Sequence, residues 1–349
     1  MDAKEFLVKL SNAAGVSGYE SGRAEIIRGF LAPYCEEITE DGLGSVIGLK
    51  KGRGKGKIMF AAHMDEIGLM AAGIDENGFI RLTTLGGFDQ RTLLAQEVII
   101  HGKREIHGVI GVKPPHLTTK EEAKKAVKFE DLLVDTGLCA DEVRELVSVG
   151  DIITINRRVV ELKNNKLAGK AFDDVAGVAC YAAAMEKLKD FNHDMDVYFT
   201  ATVQEEVGLG GAETSAYTIE PDIGIAIDVG FAKTPELTDN DTIAEMGGGP
   251  EIAIGPNMHR NVVKRLRDVA KANGIKHQVS VTAETGGTDT EAIQVSRGGV
   301  ATALLSIPLK FMHTSVETIS IDDVLATGRL LADFVISLNN QDMEEFLCL

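Results

Sequence analysis

Short, uninterrupted apolar runs in this chain lead repeatedly into residues able to hold a metal ion. Lys57-Ile58-Met59-Phe60-Ala61-Ala62 delivers His63, with Asp65 two positions on. Val197 to Gln204 delivers Glu205 and Glu206, Ile223 to Ile227 delivers Asp228, and Ala301 to Ile307 runs out toward His313 after a short loop. A run of this length bounded by turn residues predicts a strand buried on both faces, the kind found in mostly parallel sheets. Such sheets bind ligands in the crevice beyond the carboxyl ends of their strands. Histidines and carboxylates would meet in that crevice, so the first expectation is a metallohydrolase.

Composition excludes several other classes. A chain of 349 residues can bury most of its apolar surface, with one large and one smaller domain as the natural division. The formal charge of −17 argues against nucleic acid as a partner, because that binding needs a basic face. No apolar run is long enough to span a membrane, and the opening Met-Asp-Ala-Lys-Glu carries no secretory signal, so a cytoplasmic protein is expected. Cys35, Cys139, Cys180 and Cys348 lack CxxC spacing and read as reduced. The basic stretch Lys50 to Lys57 reads as a solvated hairpin turn before a buried strand.

Along the chain the texture changes twice. Residues 2–33 predict two helices, with Phe6, Leu7, Leu10 and then Ile26, Ile27, Phe30, Leu31 at helical spacing. Strands follow near 35–39, 45–49 and 57–62. From about Gly68 to Lys166 short strand-like pieces alternate with Gly, Asp and Asn, which predicts a small β-barrel or sandwich with one polar helix near 119–134. Beyond Leu167 helix and strand alternate again, with helices over Ala176–Leu188, Asn261–Ala272 and Ile321–Leu338. The simplest account is an α/β catalytic domain, residues 1–67 and 167–349, interrupted by an inserted β domain over 68–166.

Each ligand candidate has an ordinary alternative. His63-Met64-Asp65 alone reads as a satisfied polar pair, Glu205-Glu206 as a solvated loop start, and Asp173-Asp174 as a helix N-cap. Asp228 reads as a turn residue and His313 as a surface histidine. Joint placement changes the balance. Carboxylate oxygens with two imidazoles suit Zn²⁺ or Co²⁺ in an open catalytic site. Two neighbouring ions need a bridging carboxylate, further ligands for each, and a separate base. His63, Asp173, Glu206, Asp228 and His313, plus Glu205, fill those places. Asp65 would then accept from the free ring N–H of His63 and fix its tautomer.

Four separated motifs carry a resemblance: Ala62-His63-Met64-Asp65-Glu66-Ile67-Gly68, Gly169-Lys170-Ala171-Phe172-Asp173-Asp174, Val203-Gln204-Glu205-Glu206-Val207-Gly208 and Gly286-Gly287-Thr288-Asp289. In order and spacing the chain resembles the M42 metallo-aminopeptidases, the tetrahedral and glutamyl type, some of which bear an older endoglucanase label. The resemblance implies a zinc-peptidase-like α/β fold, a mostly parallel sheet flanked by helices, with an inserted small β-barrel domain used in dimerisation. It implies a dinuclear site in which His63 and Asp228 hold one metal, Glu206 and His313 the other, and Asp173 bridges, with Glu205 as general base. It implies a cis Asp173–Asp174 peptide, short peptide substrates, and a homo-oligomer built from dimers, up to a dodecamer. The chain departs from the family pattern at Val175 and Gly210, where arginine is common, and at Glu291; none of these is a ligand position.

A glycoside hydrolase is the alternative, because it too works with paired carboxylates. That chemistry needs no strand-end histidines, and sugar clefts are rich in aromatic residues. This chain has no Trp and 5% aromatic residues, which weighs for the aminopeptidase. With arginine missing at two positions of an acidic protein, small or aliphatic N-terminal residues are expected to be preferred over acidic ones.

Overall fold

The computed structural model describes residues 1–121, 124–235, 237, 244–283, 287–339 and 343. Of the residues singled out above, Gly286, Cys348 and positions 122–123 of the expected polar helix lie outside that range. The larger unit is a mixed sheet whose four central strands, Asp196–Thr202, Lys57–His63, Ile223–Phe231 and Ala301–Lys310, run parallel. Antiparallel strands extend it on both sides. The central strands are buried almost end to end, as uninterrupted apolar runs require when helices cover both faces. Ala3–Asn12, Phe172–Leu188, Arg260–Ala272 and Ile321–Ser337 form one group of packed helices, and Gly210–Ile219 with Asp289–Gln294 forms another.

Local chemistry explains several of these elements. Ala3–Asn12 starts at a capping box in which Asp2 accepts from the Glu5 N–H and Glu5 reaches back to the Asp2 N–H. Arg260–Ala272 buries Val262, Val263, Leu266, Val269 and Ala270 along one stripe and leaves its charges outside. The Phe172–Leu188 helix is rich in small residues, and Ile321–Ser337 packs closely on it. A side chain at Gly328 would drive into the Cys180 carbonyl oxygen.

The smaller unit is a closed antiparallel barrel of six strands, in spatial order Gly68–Ile74, Ile80–Leu85, Leu133–Asp135, Glu105–Ile110, Glu97–His101 and Ile152–Ile155. It has its own apolar centre of Leu69, Ile80, Val98, Ile100, Ile110, Val134 and Ile153. Burial alternates along Glu105–Ile110 as a one-sided strand requires.

Two sequence expectations fail here. No helix spans the described part of 119–134, which holds a short 3₁₀ turn at Phe129–Asp131 and then the strand Leu133–Asp135. Leu132 and Val134 both turn into the barrel centre, a period of two that outweighs the helical propensity of the polar residues before them. The basic turn after Lys50 is exposed, but it closes no hairpin. The strand Asp196–Thr202 lies between Val46–Lys50 and Lys57–His63, antiparallel to one and parallel to the other. The turn instead bonds to the approach of that strand, with Arg53 N donating to the His193 carbonyl and Asp196 N to the Gly56 carbonyl. Among the described residues no helix is long and apolar enough to cross a membrane.

Candidate active site

The crevice opens where two central strands part. Lys57–His63 and Ile223–Phe231 pair only as far as Ala61 and Ala226, so His63 and Asp228 lie just past the last pair. On its other side His63 remains paired with Thr202, and the chain beyond Thr202 turns through Gln204 in a left-handed conformation into the 3₁₀ turn Glu205–Val207. Asp173 and Asp174 stand at the start of Phe172–Leu188, joined by a cis peptide. His313 follows Ala301–Lys310 in a loop where Phe311 and His313 both take positive φ, a sparsely populated conformation that clusters at functional sites.

These segments bring the side chains together around Asp173. Its Oδ1 lies 3.1 Å from His63 Nε2 and its Oδ2 lies 3.2 Å from His313 Nε2. His313 Nε2 is also 3.2 Å from Glu206 Oε1. Glu205 Oε2 stands 3.9 Å from His63 Nε2. His63 further groups with Asp174 and Asp228, each offering a ligand atom within 4.8 Å of the others. His63, Asp173 and Asp228 are buried, whereas Glu205, Glu206 and His313 reach partly to solvent.

Asp65 organises the loop more than it faces the histidine. His63 Nδ1 is 3.2 Å from the Asp65 backbone carbonyl and 3.5 Å from its carboxylate. The carboxylate accepts the backbone N–H groups of Glu205 at 3.0 Å and Glu206 at 3.2 Å, and the Ser17 hydroxyl at 2.6 Å. One buried side chain thereby fixes both glutamates relative to the His63 strand. Beneath it, Lys170 donates to both oxygens of Glu66 at 2.8 and 2.7 Å, and Arg23 pairs with the same carboxylate at 2.8 Å. That buried trio locks the loop after His63 to the loop before Asp173. The barrel closes in from the other side. A Cβ on Gly87 would come within 3.3 Å of His313 Nδ1, and Gln96 Nε2 donates to Ser315 Oγ at 3.1 Å.

The electrostatics are those of a cation site. Burial, with Asp173 nearby, pushes the Asp228 carboxyl up to about 8. Burial, with Asp228, Asp289 and Glu206 nearby, pushes Glu205 up to about 9 despite His63. Burial works against a charged His313, but the hydrogen bonds to Asp173 and Glu206 outweigh it and raise the ring to about 11. Burial would likewise raise Asp173, and the bonds from both histidines hold it below the ordinary range. Carboxylates outnumber imidazoles here, so protons gather where a divalent cation would serve better. Buried Asp174 Oδ2 and Asp289 Oδ1 accept no hydrogen bond, which adds negative charge without a partner. Oxygen donors with two imidazole nitrogens fit ions such as Zn²⁺ or Co²⁺.

All the residues expected from the sequence therefore meet in one crevice. Sequence reasoning did not single out Asp174 as a neighbour of Asp228, buried Asp289 beside Thr202, or the trio of Arg23, Glu66 and Lys170. A lysine and a glutamate inside otherwise apolar or glycine-rich motifs were the available signal, since such groups are seldom buried unless paired.

A parallel sheet with histidines and carboxylates beyond its strand ends defines a hydrolase built to hold metal. Sequence comparison narrows the class. The M42 glutamyl aminopeptidase family profile matches residues 44–330, and the chain belongs to this metal-dependent peptidase family as an aminopeptidase. It is 36% identical over 346 residues to a lysyl aminopeptidase of Pyrococcus furiosus, covering 97% of this chain and 98% of the relative. A TET aminopeptidase from Thaumarchaeota archaeon SCGC AB-539-E09 superposes with a TM-score of 0.94 at 33% identity, covering 99% of this chain and 98% of that one. The TET1 peptidase of Pyrococcus horikoshii, which assembles into a tetrahedron or a large octahedral shell, gives 0.83 at 34% identity, covering 97% and 100%.

Proposed function

We propose that the chain is a cytoplasmic aminopeptidase that removes N-terminal residues from short peptides with two divalent ions, Zn²⁺ or Co²⁺, and Glu205 as general base. The observation that carries this reading is the position of Asp173, whose two oxygens face the two histidines on opposite sides of one crevice. His63 with Asp228 would hold one ion, Glu206 with His313 the other, and Asp173 would bridge. When bound, the ions supply Lewis acidity toward water and the scissile carbonyl, and a position for the substrate's free α-amine.

The protein's own groups then divide the work. Glu205 lies beside the ligands without being required as one, and a nearby cation favours its ionised form. It takes a proton from the attacking water and returns it to the leaving amine. Asp65 keeps Glu205 and Glu206 in place through their backbone N–H groups. The excess of acidic side chains disfavours an acidic substrate side chain near the scissile bond, so Leu or Ala termini are preferred over Glu or Asp. Free thiols at Cys35, Cys139 and Cys180 suit a reducing compartment.

The reading extends to assembly. Residues 1–67 and 167–349 form the catalytic unit, and the inserted segment 68–166 joins copies into dimers and larger shells. The Pyrococcus horikoshii relative supports this. The test of activity is release of p-nitroaniline from an aminoacyl-p-nitroanilide: EDTA abolishes it, added Zn²⁺ or Co²⁺ restores it, and carboxymethylcellulose yields no sugar. Hydrolysis that persists after full chelation refutes the metal reading.

A further inference from the structure

Glu317 lies outside every ligand set described above, yet it is one of the most buried acids of the chain, at 2% exposure. It sits at the start of the strand Glu317–Ser320, which pairs with Lys166–Gly169 on one side and Ala301–Lys310 on the other. Those two neighbours lead into Asp173 and His313 respectively. The Glu317 carboxylate reaches both. Its Oε2 accepts the backbone N–H of Phe172 at 2.6 Å and that of Asp173 at 3.3 Å, while its Oε1 accepts the N–H of His313 at 3.0 Å. Each receiving segment contains left-handed backbone, at Ala171 with φ of 58° and at His313 with φ of 59°. Non-glycine residues hold such conformations only where the surroundings impose them.

We infer that Glu317 is a positioning residue that sets the spacing between Asp173 and His313, and so presets the ion site that these two residues share with Glu206. This inference rests on the two-ion reading above. The physical reason is that two ligands from segments about 140 residues apart must meet one small ion with little adjustment. A single carboxylate gripping the backbone of both makes their separation a property of the folded chain. A glutamine cannot do the same, because one oxygen acceptor becomes a donor facing an N–H group.

The experiment is calorimetric titration of metal-free protein with Zn²⁺ alone, for wild type, Glu317→Gln, Glu317→Asp, His313→Ala and the double variant His313→Ala/Glu317→Gln, with folding followed by circular dichroism. The expected result for Glu317→Gln is a weakening of one of the two ion sites by roughly 10–100-fold, the usual cost of losing a group that orients a ligand. Glu317→Asp keeps the charge but retracts it by one methylene, and a smaller weakening is expected. In the His313→Ala background Glu317→Gln should add little, because the ligand it positions is already gone. A folded Glu317→Gln with wild-type affinity at both sites overturns the proposal. Should that variant not fold, unchanged affinity in Glu317→Asp overturns it instead. Full additivity of the two changes also overturns it, since Glu317 would then act without His313. If His313→Ala itself leaves Zn²⁺ binding intact, the two-ion reading falls and takes this inference with it.

Discussion

Glu205 and Glu206 are consecutive in the chain but meet different neighbours. Glu206 lies 3.2 Å from His313, whereas Glu205 approaches His63 only to 3.9 Å. In the proposed mechanism Glu205→Gln keeps metal content and fold, while turnover falls by roughly 10²–10⁴-fold, the range for losing general acid–base catalysis. Glu206→Gln loses or weakens one ion, and excess Zn²⁺ or Co²⁺ partly restores its activity. Metal analysis of both variants beside turnover at saturating metal decides between the roles; metal lost from Glu205→Gln and kept by Glu206→Gln would reverse them. The strand-end position of these residues was legible from the apolar run before them. Their separation into two directions was not, because it is set by Asp65 receiving both N–H groups and by the left-handed turn at Gln204.

Two elements lend themselves to sharper tests. In the Ile321–Ser337 helix, Gly328→Ala would ordinarily gain about 1 kcal/mol of helix propensity. Here the added methyl meets the Cys180 carbonyl of the neighbouring helix, and overpacking of this kind costs about 1–3 kcal/mol. Net destabilisation is therefore expected, read as a lower denaturation midpoint; a raised midpoint would show that the helices can part freely. In the strand Glu251–Ile254, burial pushes the Glu251 carboxyl from 4.5 up to about 7. Between those values the folded state binds the extra proton, so this group makes the protein less stable as pH rises from about 4.5 to about 7. Glu251→Gln mimics the protonated form. It should match wild type near the lower end and exceed it above the upper end, measured by urea unfolding at both. Equal stabilities at both ends would count against a buried, neutral Glu251.

At the scale of the molecule, the barrel contributes no proposed ligand and yet touches the site at Gly87 and Gln96. If segment 68–166 joins copies, light scattering at micromolar concentration should report a dimer or a multiple of it; a monomer would sink that proposal. Substrate choice is also a whole-molecule property, because the acidic field of the crevice acts on any incoming side chain. Catalytic efficiency should be higher for Leu-anilide than for Glu-anilide, and the reverse order would overturn the preference. The mixed α/β class and the presence of a small β unit were both legible from periodicity. The order of the strands was not, as the strand inserted after the basic turn shows.

The sequence by itself determined where buried strands run and which ligating residues follow them, because a strand buried on both faces must be apolar throughout and can turn polar only where it emerges. Only the tertiary structure decided that strands far apart in sequence become neighbours, that two of them part just before His63 and Asp228, and that Asp65, Glu66 and Glu317 grip backbone from distant segments. Those contacts have no local signature. A buried carboxylate looks the same in sequence as a solvated one, and its partners are fixed only when the whole sheet assembles.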